Sequence, residues 1–198
     1  MKLYWAPHTR AFTALWMLEE TGLPYELVKV DWKAGALKTE AFRRVNPMMK
    51  IPAIEDGEAK VAETGAICAY LCERPGAAEL APPLGDPSRG RFWQWLFFGG
   101  NCIEPAVAQI FAKFELPSVS AAWGDSDRVF ATLEAALVPG PWLLDDRFCA
   151  ADVVIGNYLS LCVETFKILP PRPVFAAYIE RCKARPAYQR ALAIEEGG

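Results

Sequence analysis

With 198 residues, 53% of them hydrophobic and 23% charged, the chain is too apolar to be disordered. It is long enough to bury roughly 70% of its extended surface without metals or disulfides. Its 21 basic and 24 acidic side chains leave a net charge of −3, with no basic block longer than Arg43-Arg44, which argues against nucleic-acid binding driven by counterion release.

Lys2 to Trp5 is short, aromatic and bounded by Ala6-Pro7, the pattern of a buried strand. From Arg10 to Thr21, Ala11, Ala14, Leu15 and Leu18 recur at helical spacing, and Gly22 and Pro24 supply the stop. Tyr25 to Asp31 reads as a second strand, and Glu40 to Val45 as a short helix closed by Asn46-Pro47. Ala53 to Glu55 and Lys60 to Ala62 flank Asp56-Gly57, a hairpin signal, and Thr64 to Glu73 reads as a helix. This β-α-β-α-β-β-α order implies a small α/β domain over residues 1–75 with a mixed sheet.

Pro75, Pro82, Pro83 and Pro87 make residues 76–87 a linker. Residues 88–198 then read as all-helical. Ser88 to Phe114 is a long apolar helix with a break expected at Gly99-Gly100 and Pro105. Further helices are expected at Asp127 to Leu137, Ala150 to Lys167, Val174 to Lys183 and Pro186 to Ile194. The most apolar run, Trp95 to Ile103, contains Asn101 and falls short of the about 18 residues that span a bilayer, so no membrane association is expected.

Cysteines at 68, 72, 102, 149, 162 and 182 form no CxxC pair, and the single His8 completes no zinc set, so no metal site is expected. Their apolar contexts predict buried, reduced thiols and a cytoplasmic address. The amino terminus reaches Pro7 and Arg10 before a signal-peptide core forms. Cys68 and Cys72 share one helix face and read as core packing.

Three loop-to-element junctions carry the candidate chemistry. In Pro7-His8-Thr9-Arg10, the Thr9 hydroxyl sits at a helix amino terminus, where it either stabilises a ligand thiolate or caps the helix. His8 reads as a loop or pocket-wall residue. In Lys50-Ile51-Pro52, a cis bond before Pro52 would free the Ile51 backbone to pair with an extended ligand; the alternative is an ordinary strand-leading proline. At Glu63-Thr64, a carboxylate and a hydroxyl at a strand-to-helix junction suit an amino-acid head group, or else Thr64 is a plain N-cap.

Together these segments resemble the cytosolic glutathione transferase family. LYWAPHTRAFTALWMLEETGLPYEL is similar to its first strand, catalytic loop and first helix, NPMMKIPAIEDG to its cis-proline segment, and ETGAICAYL to its γ-glutamyl-binding turn. RFCAADVVIGNYL resembles its buried capping-box helix, and RPAYQRALA its last helix. The resemblance implies a thioredoxin-like amino-terminal domain, an all-α carboxy-terminal domain, a homodimer, and glutathione as co-substrate. It implies that Lys50, Ile51, Pro52, Glu63 and Thr64 bind the tripeptide, that Thr9 acts on its sulfur, and that His8, Phe98, Asn101 and Cys102 line an electrophile pocket in the cleft between the domains. The expected activity is conjugation of the glutathione thiolate to small hydrophobic electrophiles, a detoxification chemistry. The alternatives are a glutathione-transferase-like binding protein that has lost the chemistry, or a glutathione-dependent isomerase, dehalogenase or peroxidase.

The chain departs from the family pattern in three places. Thr9 stands where Tyr, Ser or Cys is usual, and no cysteine lies in the loop to support deglutathionylation chemistry. Cys149 replaces the usual Ser or Thr three residues before Asp152, which predicts a weaker helix cap. Met49 replaces a small residue beside the expected glycine end of the site.

Overall fold

The computed structural model describes residues 1–117 and 119–197. They form two compact units: Met1–Leu80 together with the segment from Arg185 onward, and Ala81–Ala184. The last helix, which chain order groups with the helical half, packs with the first unit.

In the first unit, β1 (Lys2–Trp5) pairs in parallel with β2 (Glu26–Lys29) and antiparallel with β3 (Ala53–Asp56). β3 pairs antiparallel with β4 (Ala59–Ala62), giving the order β2-β1-β3-β4. β2 is shorter than the expected Tyr25 to Asp31 because its ladder partner ends at Trp5, opposite Lys29. The β3–β4 turn places Gly57 at φ +61°, a left-handed backbone that glycine adopts without steric cost.

The two sheet faces bury different partners. Leu3, Trp5 and Ile54 are buried on the side of α1 (Ala11–Thr21) and α3 (Thr64–Cys72). Tyr4 points the other way and meets Phe42 edge-on, with ring centroids 5.6 Å apart, over Val45 and Ala53. Phe42 belongs to α2 (Glu40–Arg43), which Thr39 caps by accepting the Phe42 N–H. That helix stops short of Val45 because the Val45 and Asn46 amides both bond the Phe42 carbonyl, turning the chain out. α1 is buried from Ala11 through Leu18 and ends at Gly22, whose φ of +65° and N–H to the Leu18 carbonyl close it in a left-handed cap.

α9 (Pro186–Gly197) completes this unit by lying along α1. Tyr188 sets its ring against Phe12 and Trp16, at centroid distances of 5.2 and 4.9 Å. Arg185 forks onto Glu20 at 2.6 and 2.7 Å, and Arg190 reaches Glu19 at 2.6 Å.

The segment expected as a linker contains a 3-10 turn at Ala78–Leu80. The second unit is helical in its regular elements: α4 (Arg89–Phe98), α5 (Glu104–Ala112), α6 (Ser126–Leu137), α7 (Ala150–Ser160) and α8 (Pro173–Lys183). α7 is buried from Ala150 through Leu159 and forms the axis on which α4 and α8 pack. The break expected after α4 is a π-helical turn at Gly99–Ile103; Pro105 sits in the first turn of α5, where its missing N–H leaves no bond unmade. Another π-helical turn, Leu161–Thr165, closes the segment expected as helix to Lys167.

Asp152 organises the start of α7. Oδ1 accepts from the Leu143 N–H and the Tyr178 hydroxyl, at 2.9 and 2.8 Å; Oδ2 accepts from the Cys149 N–H and thiol, at 2.9 and 3.2 Å. The Cys149 thiol therefore donates to the very carboxylate that caps its own amide. Burial pushes the Asp152 carboxyl up, and the four donors pull it back. No helix of the described residues is long and apolar enough to cross a membrane.

Candidate functional site

The register lines up the three junctions. Tyr4 lies opposite Ala53, and Ala53 opposite Ala62. The flanking residues on one side of this row, Trp5 after Tyr4, Pro52 before Ala53 and Glu63 after Ala62, therefore stand at one end of the sheet, across about 10 Å at 4.7–4.9 Å per strand. The loop after β1, the segment before β3 and the amino end of α3 all open at this edge.

Before β3, the Ile51–Pro52 peptide bond is cis, as the family resemblance implies and against the ordinary-proline alternative. Among the described residues nothing hydrogen-bonds the Ile51 backbone. A residue the sequence reading passed over shapes this turn. The Asn46 side chain, only 4% exposed, donates to the Lys50 carbonyl at 2.8 Å and accepts the Met48 N–H at 3.0 Å. The sequence signal is Asn46-Pro47, which marks a helix stop and here also a turn. Met49 adopts φ +55°, and the Lys50 ammonium is exposed with no ion pair among the described residues.

At the end of β4, Glu63 adopts φ +67° and forms the cap position of α3 without a side-chain cap bond. Thr64 is the first helical residue, not the cap itself. Neither the Glu63 carboxylate nor the Thr64 hydroxyl has a partner among the described residues.

After β1, the Thr9 hydroxyl donates to the Ala6 carbonyl at 2.7 Å and accepts the Ala11 N–H at 3.2 Å. The hydroxyl thus braces the loop just ahead of α1, whose cap position is Arg10 without a side-chain cap bond, and its proton is engaged there. His8 is exposed at φ +58°, and its amide donates to Glu195 of α9 at 2.9 Å. Glu195 was absent from the sequence reading, since nothing local marks a contact across the length of the chain. Burial raises the Glu195 carboxyl above its ordinary value, and the His8 amide and ring pull it back.

The remaining candidates lie in the second unit. Phe98 ends α4, its ring 5.1 Å from that of Trp95. Asn101 is exposed and Cys102 half-buried, both on the π-helical turn, and burial raises the Cys102 thiol above its ordinary range. The other five cysteines are buried and all six are free; Cys102 is the one that departs from the expected burial. No group of three or more His, Cys, Asp and Glu side chains suited to a metal occurs among the described residues.

Comparison with known proteins agrees with this architecture. Residues 1–73 match the family model for the glutathione S-transferase amino-terminal domain. The chain is 30% identical to glutathione S-transferase F14 of Arabidopsis thaliana, over 92% of its own length and 78% of that protein. It is also 30% identical to the disulfide-bond oxidoreductase YfcG of Escherichia coli (strain K12), over 96% of its length and 93% of that protein. Among solved structures, a sphingomonad glutathione S-transferase complexed with glutathione superposes with a TM-score of 0.80 at 29% identity, covering 99% of both chains. Agreement that extends over more than nine-tenths of the chain in sequence, and again in fold, shows that this protein belongs to the glutathione S-transferase family.

Proposed function

We propose that the chain binds glutathione across the end of its first-unit sheet and conjugates the thiolate to small hydrophobic electrophiles. The observation that carries this reading is the row of polar groups without partners among the described residues: the Lys50 ammonium, the Ile51 backbone, the Glu63 carboxylate and the Thr64 hydroxyl. These groups are free to bond an extended ligand that carries a charge at each end. An extended tripeptide spans about 10 Å, comparable to the distance across the ends of β1, β3 and β4 at this edge.

In this reading Glu63 takes the γ-glutamyl ammonium, while the Thr64 hydroxyl and the first amides of α3 take its carboxylate. Ile51 pairs with the cysteine backbone beside Pro52, and Lys50 meets the glycine carboxylate. The Thr9 hydroxyl turns its proton from the Ala6 carbonyl to the sulfur and stabilises the thiolate. The thiol proton leaves to solvent. The thiolate then forms a C–S bond to the electrophilic carbon, and the leaving group departs with its electron pair.

A second reading is glutathione-dependent disulfide reduction, supported by the likeness to YfcG and by the engagement of the Thr9 proton with Ala6. There the bound thiolate attacks a disulfide sulfur, expels a thiolate, and a second glutathione resolves the mixed disulfide.

Turnover of 1-chloro-2,4-dinitrobenzene and of 2-hydroxyethyl disulfide, beside calorimetric glutathione binding, tests both. Conjugation is expected, together with a bound-thiol pKa that rises in Thr9→Ala when thiolate absorbance is followed against pH. An unchanged pKa removes Thr9 from the chemistry. Turnover of the disulfide alone favours the second reading, and absence of glutathione binding overturns both.

A further inference from the structure

The loop that bears Thr9 is held from far away in the chain. His8 adopts φ +58°, a left-handed backbone uncommon for residues with a Cβ although histidine takes it more often than most, so an outside constraint on it bears on the whole loop. That constraint is visible: the His8 N–H donates to Glu195 Oε1 at 2.9 Å. A carboxylate acceptor makes a backbone hydrogen bond roughly twice as strong as a neutral one.

The helix that brings Glu195 there is itself anchored. α9 runs antiparallel to α1: Arg185, just before it, pairs with Glu20, its first turn sets Tyr188 against Phe12 and Trp16, and its last turn reaches the loop preceding α1. The carboxylate is thus placed by packing along most of the helix rather than by a free tail.

We infer that Glu195 is a positioning residue for the loop from Ala6 to Arg10, fixing His8 in its left-handed turn and so setting where Thr9 presents its hydroxyl to the glutathione sulfur. The inference rests on the proposed glutathione site. Its structural half, the tether itself, stands on the geometry alone. Loss of the acceptor loosens the turn and moves Thr9, which lowers thiolate stabilisation more than tripeptide binding, because Lys50, Ile51, Glu63 and Thr64 lie on other elements.

The test compares the full-length chain with Glu195→Ala and with Glu195→Gln, whose side-chain carbonyl still accepts a hydrogen bond. Hydrogen exchange is read over residues 6–12, and kcat, KM for glutathione and the bound-thiol pKa are measured in parallel. In Glu195→Ala, exchange over 6–12 is expected to quicken about tenfold while the interior of α1 is unchanged. The bound-thiol pKa rises and kcat falls, with KM for glutathione within about twofold. Glu195→Gln restores most of the native behaviour. Unchanged exchange in Glu195→Ala overturns the tether, and equal loss in both variants overturns the role of the hydrogen bond. Should the native chain bind no glutathione, the proposed function falls, while the exchange measurement still decides the tether.

Discussion

On the sheet face away from α1, Tyr4 donates its hydroxyl proton to Glu55 while its ring packs against Phe42. Burial first, then the bond and negative charge of Glu55, push its hydroxyl from 10.0 up to about 12. A folded-state pKa above the unfolded one means that the fold favours the protonated phenol. The contribution is therefore fully present below pH 10 and is lost as pH rises through about 12. In Tyr4→Phe, the fall of the urea midpoint between pH 10 and 12 is expected to be shallower, and one late step should vanish from the tyrosinate absorbance titration. An equally steep fall would remove Tyr4 from the alkaline response. The candidate site is read from residues with unequal success. The placement of Lys50, Pro52, Glu63 and Thr64 at strand and helix boundaries was legible because turn and cap residues mark such boundaries locally. The engagement of Thr9 with Ala6 was not, because it belongs to a loop in which His8 adopts a left-handed backbone, a choice the sequence does not announce at a single histidine.

Within the helices, Gly99 decides how closely α4 approaches α7. A Cβ at this position would lie 2.7 Å from both Tyr158 Cε2 and Val154 Cγ1. Neighbouring Gly100 is exposed and has nothing within 4 Å of the same construction. Helix propensity alone favours alanine over glycine by about 1 kcal/mol at both positions. Overpacking reverses the sign at one of them. Gly99→Ala is expected to destabilise by about 1–3 kcal/mol in urea unfolding, whereas Gly100→Ala leaves stability equal or higher. Equal effects of the two variants would show that the close approach yields without cost. The glycine pair announced a break in the sequence, yet what holds Gly99 to glycine, contact with a helix more than fifty residues away, lay outside any local window. The start of α7 shows the same limit. A thiol cap reads as a loss, but Asp152 gathers four donors from three stretches of chain, and Cys149 supplies two of them.

Over the whole chain, α9 belongs with a sheet that begins at the other terminus. Arg185 is the main electrostatic link. Its partner Glu20 is 5% exposed and also accepts the Trp16 indole N–H at 2.8 Å, so removing the guanidinium strands a buried carboxylate. Arg185→Met is expected to lower stability by about 3 kcal/mol. Arg190→Met, whose arginine is 54% exposed, should cost about 1 kcal/mol or less. Urea midpoints of the two variants check the order, and parity between them would refute the burial argument. Strand and helix order, the break after α4 and the three junctions follow from hydrophobic period, turn residues and boundary signals, all of which act over a few neighbours. The unit to which α9 belongs, the Glu195 tether and the close approach at Gly99 follow from packing between segments distant in sequence. Such contacts leave almost no local trace, because the residues that make them are chosen by their partners in space rather than by their neighbours in the chain.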